Sequence, residues 1–77
     1  MELLPEQCRA ARGLLNWTQA ELAGRAGVSR STVRDFEGER HDLHRSTEAL
    51  LLRSFDDAGV EMLSDTGVGV RLRKAAA

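Results

Sequence analysis

The segment TQAELAGRAGVSRSTVRDFEGE, residues 18–39, contains two short helical patterns separated by a break. Thr18 is followed three positions later by Glu21, a capping-box spacing in which each side chain satisfies the other residue's free backbone N–H. Gly27 stands where a left-handed residue ends a helix without a Cβ clash, and Ser29 is placed to cap the next helix. The pattern excludes one continuous helix and predicts two helices that meet at an angle.

The two predicted helices differ in their outward faces. The apolar positions of the first are Ala20, Leu22, Ala23 and Ala26. In the second, Val33 and Phe36 lie three residues apart and are expected to face the core. That spacing leaves four polar side chains to point outward: Arg30, Ser31, Arg34 and Asp35. This outward polar face is the candidate binding surface.

A further helix is predicted on the N-terminal side of this segment. Pro5 suits the first position of a helix that ends near Leu15, with Cys8 and Ala11 on its apolar face. On the C-terminal side, residues 38–45 lack a clear period and read as a loop with one apolar anchor, Leu43.

A fourth helix and a hairpin are predicted beyond the loop. Ser46 or Thr47 is expected to cap the helix, which ends at Gly59. Its predicted apolar positions are Leu50, Leu51, Phe55 and Ala58. Beyond Gly59 the apolar residues alternate instead, which predicts a β-hairpin with a four-residue loop from Ser64 to Gly67. Its apolar strand residues are Val60, Met62, Val68, Val70 and Leu72.

The size and charge of the chain limit its function. At 77 residues it is one domain, close to the smallest that one apolar core stabilises, so burial against a second copy is plausible. Its net charge of −1 lacks the basic balance of most nucleic-acid-binding proteins, so such a function must depend on a local patch. No apolar run approaches the ~20 residues that cross a bilayer, and no signal peptide is evident, so we expect a cytoplasmic protein.

The sequence offers no set of residues for catalysis or for metal binding. Cys8 is the only cysteine, and together with His41 and His44 it does not complete a set of four zinc ligands. We find no paired-carboxylate cleft, no Ser/His/Asp or Cys/His arrangement, and no Gly-rich phosphate loop. We therefore expect neither enzymatic activity nor a cofactor.

Two capped helices joined by a short turn form the helix-turn-helix layout, in which the second helix enters the major groove of DNA. The run WTQAELAGRAGVSRSTVRDFEG, residues 17–38, resembles the helix-turn-helix of the Cro/phage-repressor (XRE) family. The likeness reaches back through Arg12 to Cys8. The resemblance implies a mainly α, lambda-repressor-like bundle of four to five helices with a C-terminal β-hairpin. It also implies a bacterial or phage transcriptional regulator that binds operator DNA as a homodimer and controls its own gene.

The resemblance implies roles for residues around the DNA backbone. Gln19 matches a glutamine that hydrogen-bonds a phosphate, Thr32 matches a position that contacts the backbone, and Arg40 is expected to contact phosphate. Arg12 and Glu37 match a partly buried ion pair that ties the first helix to the end of the third.

The resemblance places three further residues at base edges or neighbouring phosphates: Arg30, Ser31 and Arg34. Arginine can bond O6 and N7 of guanine together, so Arg30 or Arg34 reading a guanine is the sharpest chemical expectation. Asp35 departs from the family pattern, because an acidic residue on this face is unusual. Its carboxylate can accept from a cytosine amino group, pair with a neighbouring arginine, or point away.

Several residues have two interpretations from sequence alone. Trp17 is either a core residue, which its size favours, or a stacking surface for bases. Cys8 is either a small buried hydrophobe or a redox sensor activated by nearby arginines. His41 and His44 either face solvent or phosphate, or make binding depend on pH near 6.5.

The C-terminal hairpin also has two interpretations. Two isolated strands are marginally stable, so the hairpin either pairs with a second copy or covers the fourth helix as an intramolecular flap. The outward Arg71, Arg73 and Lys74 either contact phosphate or keep the strand edge soluble. We thus assign 1–59 to the DNA-binding domain, 60–73 to a hairpin for dimerisation, and 74–77 to a frayed tail. The alternative function is an antitoxin or anti-activator whose main partner is another protein.

Overall fold

The fold comes from a computed structural model that describes residues 2–64 and 67–73. Its elements are α1 (Pro5–Leu15), α2 (Gln19–Ala26), α3 (Arg30–Glu37), α4 (Arg45–Asp57), β1 (Val60–Leu63) and β2 (Gly69–Leu72). The predicted mainly α, lambda-repressor-like bundle with a C-terminal hairpin is confirmed, with four helices in the described residues. The predicted tail, residues 74–77, lies outside the described residues. None of the described helices is long and apolar enough to cross a membrane.

The break between α2 and α3 has the predicted geometry. The Thr18 hydroxyl accepts from the Glu21 backbone N at 3.0 Å, and the Ser29 hydroxyl accepts from the Thr32 backbone N at 3.1 Å. Gly27 is left-handed, with φ of 74°. The capping box at Thr18 is only half formed, because the Glu21 carboxylate accepts from Arg25 Nη2 at 3.4 Å instead of from the Thr18 backbone. The charged partner one turn along α2 competes with the backbone N–H.

The predicted start of α4 is wrong. The helix begins at Arg45 with His44 as its N-cap, and neither Ser46 nor Thr47 has that role. The His44 side chain makes no capping bond, whereas its carbonyl accepts from the Glu48 backbone N at 2.9 Å. A distant contact holds this first turn, since the Glu48 carboxylate accepts from the Leu3 backbone N at 2.9 Å. The side chains of both histidines, His41 and His44, are exposed.

The core lies between the four helices and the hairpin. Its buried apolar residues are Leu3, Cys8, Ala11, Leu22, Ala23, Ala26, Val33, Phe36, Leu51, Phe55 and Val60. Two residues assigned to apolar helix faces are not buried: Ala20 is exposed, and Leu50 retains 44% of its accessible surface. Leu51 is fully buried, and Leu50, about 100° around the helix from it, lies on a more exposed side of α4.

The hairpin lies on the body of the same chain. β1 and β2 are antiparallel, and β2 packs against α1 while β1 packs against α4. Val60 is buried and the Met62–Val70 pair packs against the core. Gln7, buried in α1, holds the far end of the ladder: its Nε2 donates to the carbonyls of Leu63 and Gly69, each at 3.3 Å. The hairpin therefore covers α1 as well as α4.

The hairpin loop differs from the sequence prediction. The ladder ends at the pair Leu63 and Gly69, so Val68 precedes β2 and its side chain is exposed, although it was expected within a strand. Of the predicted loop from Ser64 to Gly67, residues 65 and 66 lie outside the described residues. Glycine at 69 pairs with Leu63, whose side chain lies 3.9 Å from where a Cβ would stand.

Candidate nucleic-acid interface

The outward face of α3 begins at its first residue. Val33 and Phe36 are buried, as their spacing predicts, and Glu37 is buried beside them. Arg30, Ser31 and Arg34 are exposed. The three-residue turn before α3 thus lets this short helix bury its apolar side and leave its polar side exposed.

The first turn of α3 contains a small hydroxyl network. The Ser29 hydroxyl, which caps the helix, lies 2.7 Å from the Thr32 hydroxyl and 3.1 Å from the Ser31 hydroxyl. Thr32 is half-buried. This network fixes the side-chain directions of Ser31 and Thr32 at the N-terminal end of α3.

Asp35 pairs with its neighbour on α3. Its Oδ1 accepts from Arg34 Nε at 3.1 Å, the second of the three arrangements open from sequence. The bond uses one donor of Arg34 and leaves both terminal nitrogens for other partners. Asp35 thereby reduces the net charge of the face without blocking the outer end of the guanidinium.

A buried ion pair joins α1 to the last residue of α3. Arg12 donates to the Glu37 carboxylate through Nε at 2.7 Å and through Nη2 at 2.6 Å. Its remaining nitrogen, Nη1, donates to the Trp17 carbonyl at 3.0 Å. The bidentate geometry suits an arginine in a partly buried pair. Hydrogen bonding to Glu37 raises the pKa of Arg12.

Glu37 accepts hydrogen bonds from side chains of two other helices, α1 and α2. Gln19 Nε2 donates to its Oε1 at 3.1 Å, and the Cys8 thiol donates to its Oε2 at 3.0 Å. Burial by itself raises the pKa of Glu37, but the hydrogen bonds it accepts and the charge of Arg12 lower it by more. The pKa of Glu37 therefore lies below its ordinary value, and the carboxylate is held ionised inside the protein.

The Cys8 thiol is a buried hydrogen-bond donor to Glu37. Its side chain is fully buried, and burial, followed by the hydrogen bond to Glu37, raises the pKa of the thiol. A reactive thiol needs exposure and a lowered pKa. The structure therefore favours the buried-hydrophobe interpretation over the redox sensor, and adds a hydrogen bond that the sequence did not indicate.

Trp17 packs between α2 and α4. Its ring stacks on Phe55 with a centroid distance of 6.2 Å and an interplanar angle of 20°. The Arg25 guanidinium lies 4.4 Å from the ring centroid. These contacts favour the core interpretation, since the aromatic surface is engaged by side chains of the same chain.

A basic concavity opens where α1, α2 and the end of α3 meet. It has a volume of about 390 Å³ and is lined by Arg9, Arg12, Gln19, Arg34, Glu37, Gly38 and Arg40. Arg9, whose side chain is exposed, donates through Nη1 to the Glu37 carbonyl. No local pattern signals this contact, because the two residues are 28 positions apart.

Ion pairs are distributed unevenly over the surface. Away from α3, four arginines pair with carboxylates: Arg25, Arg53, Arg71 and Arg73. Across residues 2–64 and 67–73, four others form no ion pair: Arg9, Arg30, Arg40 and Arg45. Three of these four, Arg9, Arg30 and Arg40, lie on α3 or line the concavity, in a chain whose net charge is −1. In the described part of the chain, no group of three or more potential metal-binding side chains occurs.

The sequence comparison agrees with the geometry of α2 and α3. Residues 9–38 match the family model described as helix-turn-helix. These residues form a helix-turn-helix of the XRE type. The matched region includes both helices of the motif and most of α1, whereas α4 and the hairpin lie outside it. No curated protein matches the chain. The helix-turn-helix identifies a DNA-binding regulatory domain.

Proposed function

We propose that the protein is a sequence-specific transcriptional regulator that binds operator DNA as a homodimer in the cytoplasm and controls its own gene. The observation that carries this proposal is the N-terminal turn of α3, where Arg30 and Ser31 are exposed. In a helix-turn-helix, this end of the recognition helix reaches base edges. Arg30 forms no ion pair with the described carboxylates and so has its guanidinium available for a guanine.

The remaining contacts divide between bases and backbone. We propose that Ser31, Thr32 and Asp35 face the groove or its edge, and that Arg34 meets a base or a neighbouring phosphate. Gln19 donates one amide N–H to Glu37 and retains a second for a phosphate. Arg40, directly after α3, completes the backbone contacts on this side.

A second copy is proposed to pair through the hairpin. A two-stranded sheet has two open edges, and a dimer places two recognition helices on half-sites about 34 Å apart. The solvent face of the hairpin carries the pair Glu61 and Arg71, whose side chains lie 2.7 Å apart. Arg73 pairs with Asp56 at the end of α4. Both arginines thus have carboxylate partners, which favours a structural role over phosphate contact.

Fluorescence anisotropy tests the proposed function. The protein is titrated against DNA from upstream of its own gene and against a scrambled duplex, each at 50 and 200 mM salt. A preference of about 10³-fold or more, with affinity falling steeply with salt, is expected for a specific regulator. Equal and weak binding to both duplexes, followed by failure of a random-library selection to find a site, would reject it.

Sedimentation tests the dimer separately. A chain lacking residues 64–77 is expected to be monomeric and to bind DNA more weakly. Because Gln7 and the core contact the hairpin, the truncated chain is first checked for helical content by circular dichroism. A folded truncated chain that remains dimeric would move the interface away from the hairpin.

A second candidate function rests on exposed apolar side chains. Leu14, Leu50 and Leu72 retain 42%, 44% and 47% of their accessible surface, and Val68 is exposed as well. Apolar surface of this kind is typical of protein–protein contacts where it is contiguous. An antitoxin or anti-activator would use it to bind another protein. This protein-binding function becomes the preferred one if the anisotropy experiment finds no preferred DNA.

A further inference from the structure

Besides Arg12, which is paired with Glu37, three arginines from separate parts of the chain line the basic concavity. Arg9 comes from α1, Arg34 from α3, and Arg40 from the segment after α3. Of these three, only Arg34 has a carboxylate partner among the described residues, and that carboxylate engages its Nε alone. Positive charges gathered in one hollow repel one another, and an anion seated between them relieves that repulsion.

Glu37, the acidic residue that lines the concavity, does not prevent an anion from binding there. Both oxygens of Glu37 accept short hydrogen bonds from Arg12, and each accepts one further donor. The charge of this carboxylate is therefore balanced inside the protein. The remaining charge of the concavity is positive and directed outward.

We infer that Arg9, with Arg34 and Arg40, seats a phosphate of the DNA backbone, which makes Arg9 a further DNA-binding residue. This inference rests on the proposed function. The bond from Arg9 Nη1 to the Glu37 carbonyl fixes the guanidinium at the C-terminal end of α3 and leaves its other N–H groups for phosphate oxygens. The same phosphate-binding site assigns Arg34 to the DNA backbone instead of to a base, which leaves Arg30 as the arginine that reads guanine.

Placement relative to the recognition helix supports a phosphate over a base edge. Bases are read by the element that lies in the groove, whereas residues of other helices contact the backbone that borders it. Arg9 belongs to α1, outside the two helices of the motif. An anion that touches Arg9 and Arg34 together must therefore lie beside α3, where the backbone runs.

The salt dependence of DNA binding tests the inference. Each phosphate contact contributes about 0.9 to the slope of log K against log salt concentration, so Arg9→Ala should lower the slope by about that amount. Between 50 and 200 mM salt, the loss of affinity should then be about 3.5-fold smaller than for the wild-type protein. The same change is expected on the preferred duplex and on scrambled DNA, because a phosphate contact is independent of sequence.

Two variants act as controls. Arg53→Ala removes an arginine from α4 whose side chain is 83% exposed, and it should leave the slope unchanged. Arg9→Lys keeps the charge and should restore most of the slope. Melting followed by the single Trp17 separates binding from stability, because a purely structural Arg9 would lower the melting temperature without changing the slope.

The outcomes are distinct. If wild-type protein prefers its operator but Arg9→Ala keeps the wild-type slope, the phosphate seat is wrong and the proposed function stands. If Arg9→Ala and Arg53→Ala lower the slope equally, the effect is one of overall charge and the seat is again wrong. If the wild-type protein has no salt-dependent DNA binding at all, the proposed function itself fails.

Discussion

The Arg12→Ala variant is expected to unfold far below the melting temperature of the wild-type protein. The change removes three hydrogen bonds and leaves Glu37, a residue with 4% of its surface exposed, without its charged partner. Removing one member of a buried ion pair costs about 3–5 kcal/mol. Arg12 retains 19% of its side-chain surface, so water screens part of the loss and we expect about 3 kcal/mol.

That loss is large for a chain of this length. At about 0.05–0.15 kcal/mol per residue, the whole domain has a free energy of unfolding of about 4–12 kcal/mol. In a domain this small, 1 kcal/mol shifts the melting temperature by about 4–8 °C, so Arg12→Ala should melt about 12–24 °C lower. Circular dichroism and Trp17 fluorescence measure this shift, with Arg53→Ala as the matched control.

The pH dependence of the same difference checks its cause. The folded-state pKa of Glu37 is lowered, so its ion pair stabilises the protein above the ordinary glutamate pKa of about 4.3. This stabilisation is lost as the pH falls through the lowered folded-state pKa. The gap in stability between wild type and Arg12→Ala should therefore be greatest near neutral pH and shrink in acid. If Arg12→Ala melts within about 2 °C of wild type and loses only DNA binding, the structural role is refuted.

Three further outcomes follow from other contacts. Arg30→Ala should lower operator affinity by about 5- to 150-fold, equivalent to ~1–3 kcal/mol, with little change in scrambled-DNA affinity or melting temperature; equal losses on both duplexes would make Arg30 a phosphate contact. Gln7→Leu should lower the free energy of unfolding by about 1–3 kcal/mol, because the Leu63 and Gly69 carbonyls lose their shared donor. An unchanged free energy of unfolding in chemical denaturation would contradict this. Cys8 should react with a thiol reagent only as fast as the chain opens, so rapid modification of folded protein would contradict its burial.

Local signals in the sequence were sufficient to predict the helix-turn-helix. Thr18 and Ser29 cap helices through bonds within three residues of themselves, and Gly27 needs only its own backbone conformation. Such features depend on the chain nearby, so the boundaries of α2 and α3 could be predicted without knowing the rest of the fold.

The features that sequence reasoning missed depend on contacts between distant residues. Gln7 bonds carbonyls 56 and 62 positions away, and Arg9 bonds a carbonyl 28 positions away. The first turn of α4 also makes a distant contact that the sequence did not indicate, since Glu48 bonds a backbone N–H that is 45 positions away. Leu50 was assigned to the core because adjacent leucines give no indication of which one faces inward. Only the packed structure shows which distant residues bond one another and which of the two leucines is buried.

The position of the buried carboxylate also affects how such a protein can diverge. Glu37 is the last residue of α3 and Arg30 is the first, so about 10 Å of helix separates the end held by α1 and α2 from the end proposed to meet DNA. Under the proposed function, substitutions at Arg30 and Ser31 should change which bases are recognised without disturbing the hydrogen bonds that Glu37 accepts. We therefore expect that duplicated copies of this chain could acquire different operators while keeping one scaffold.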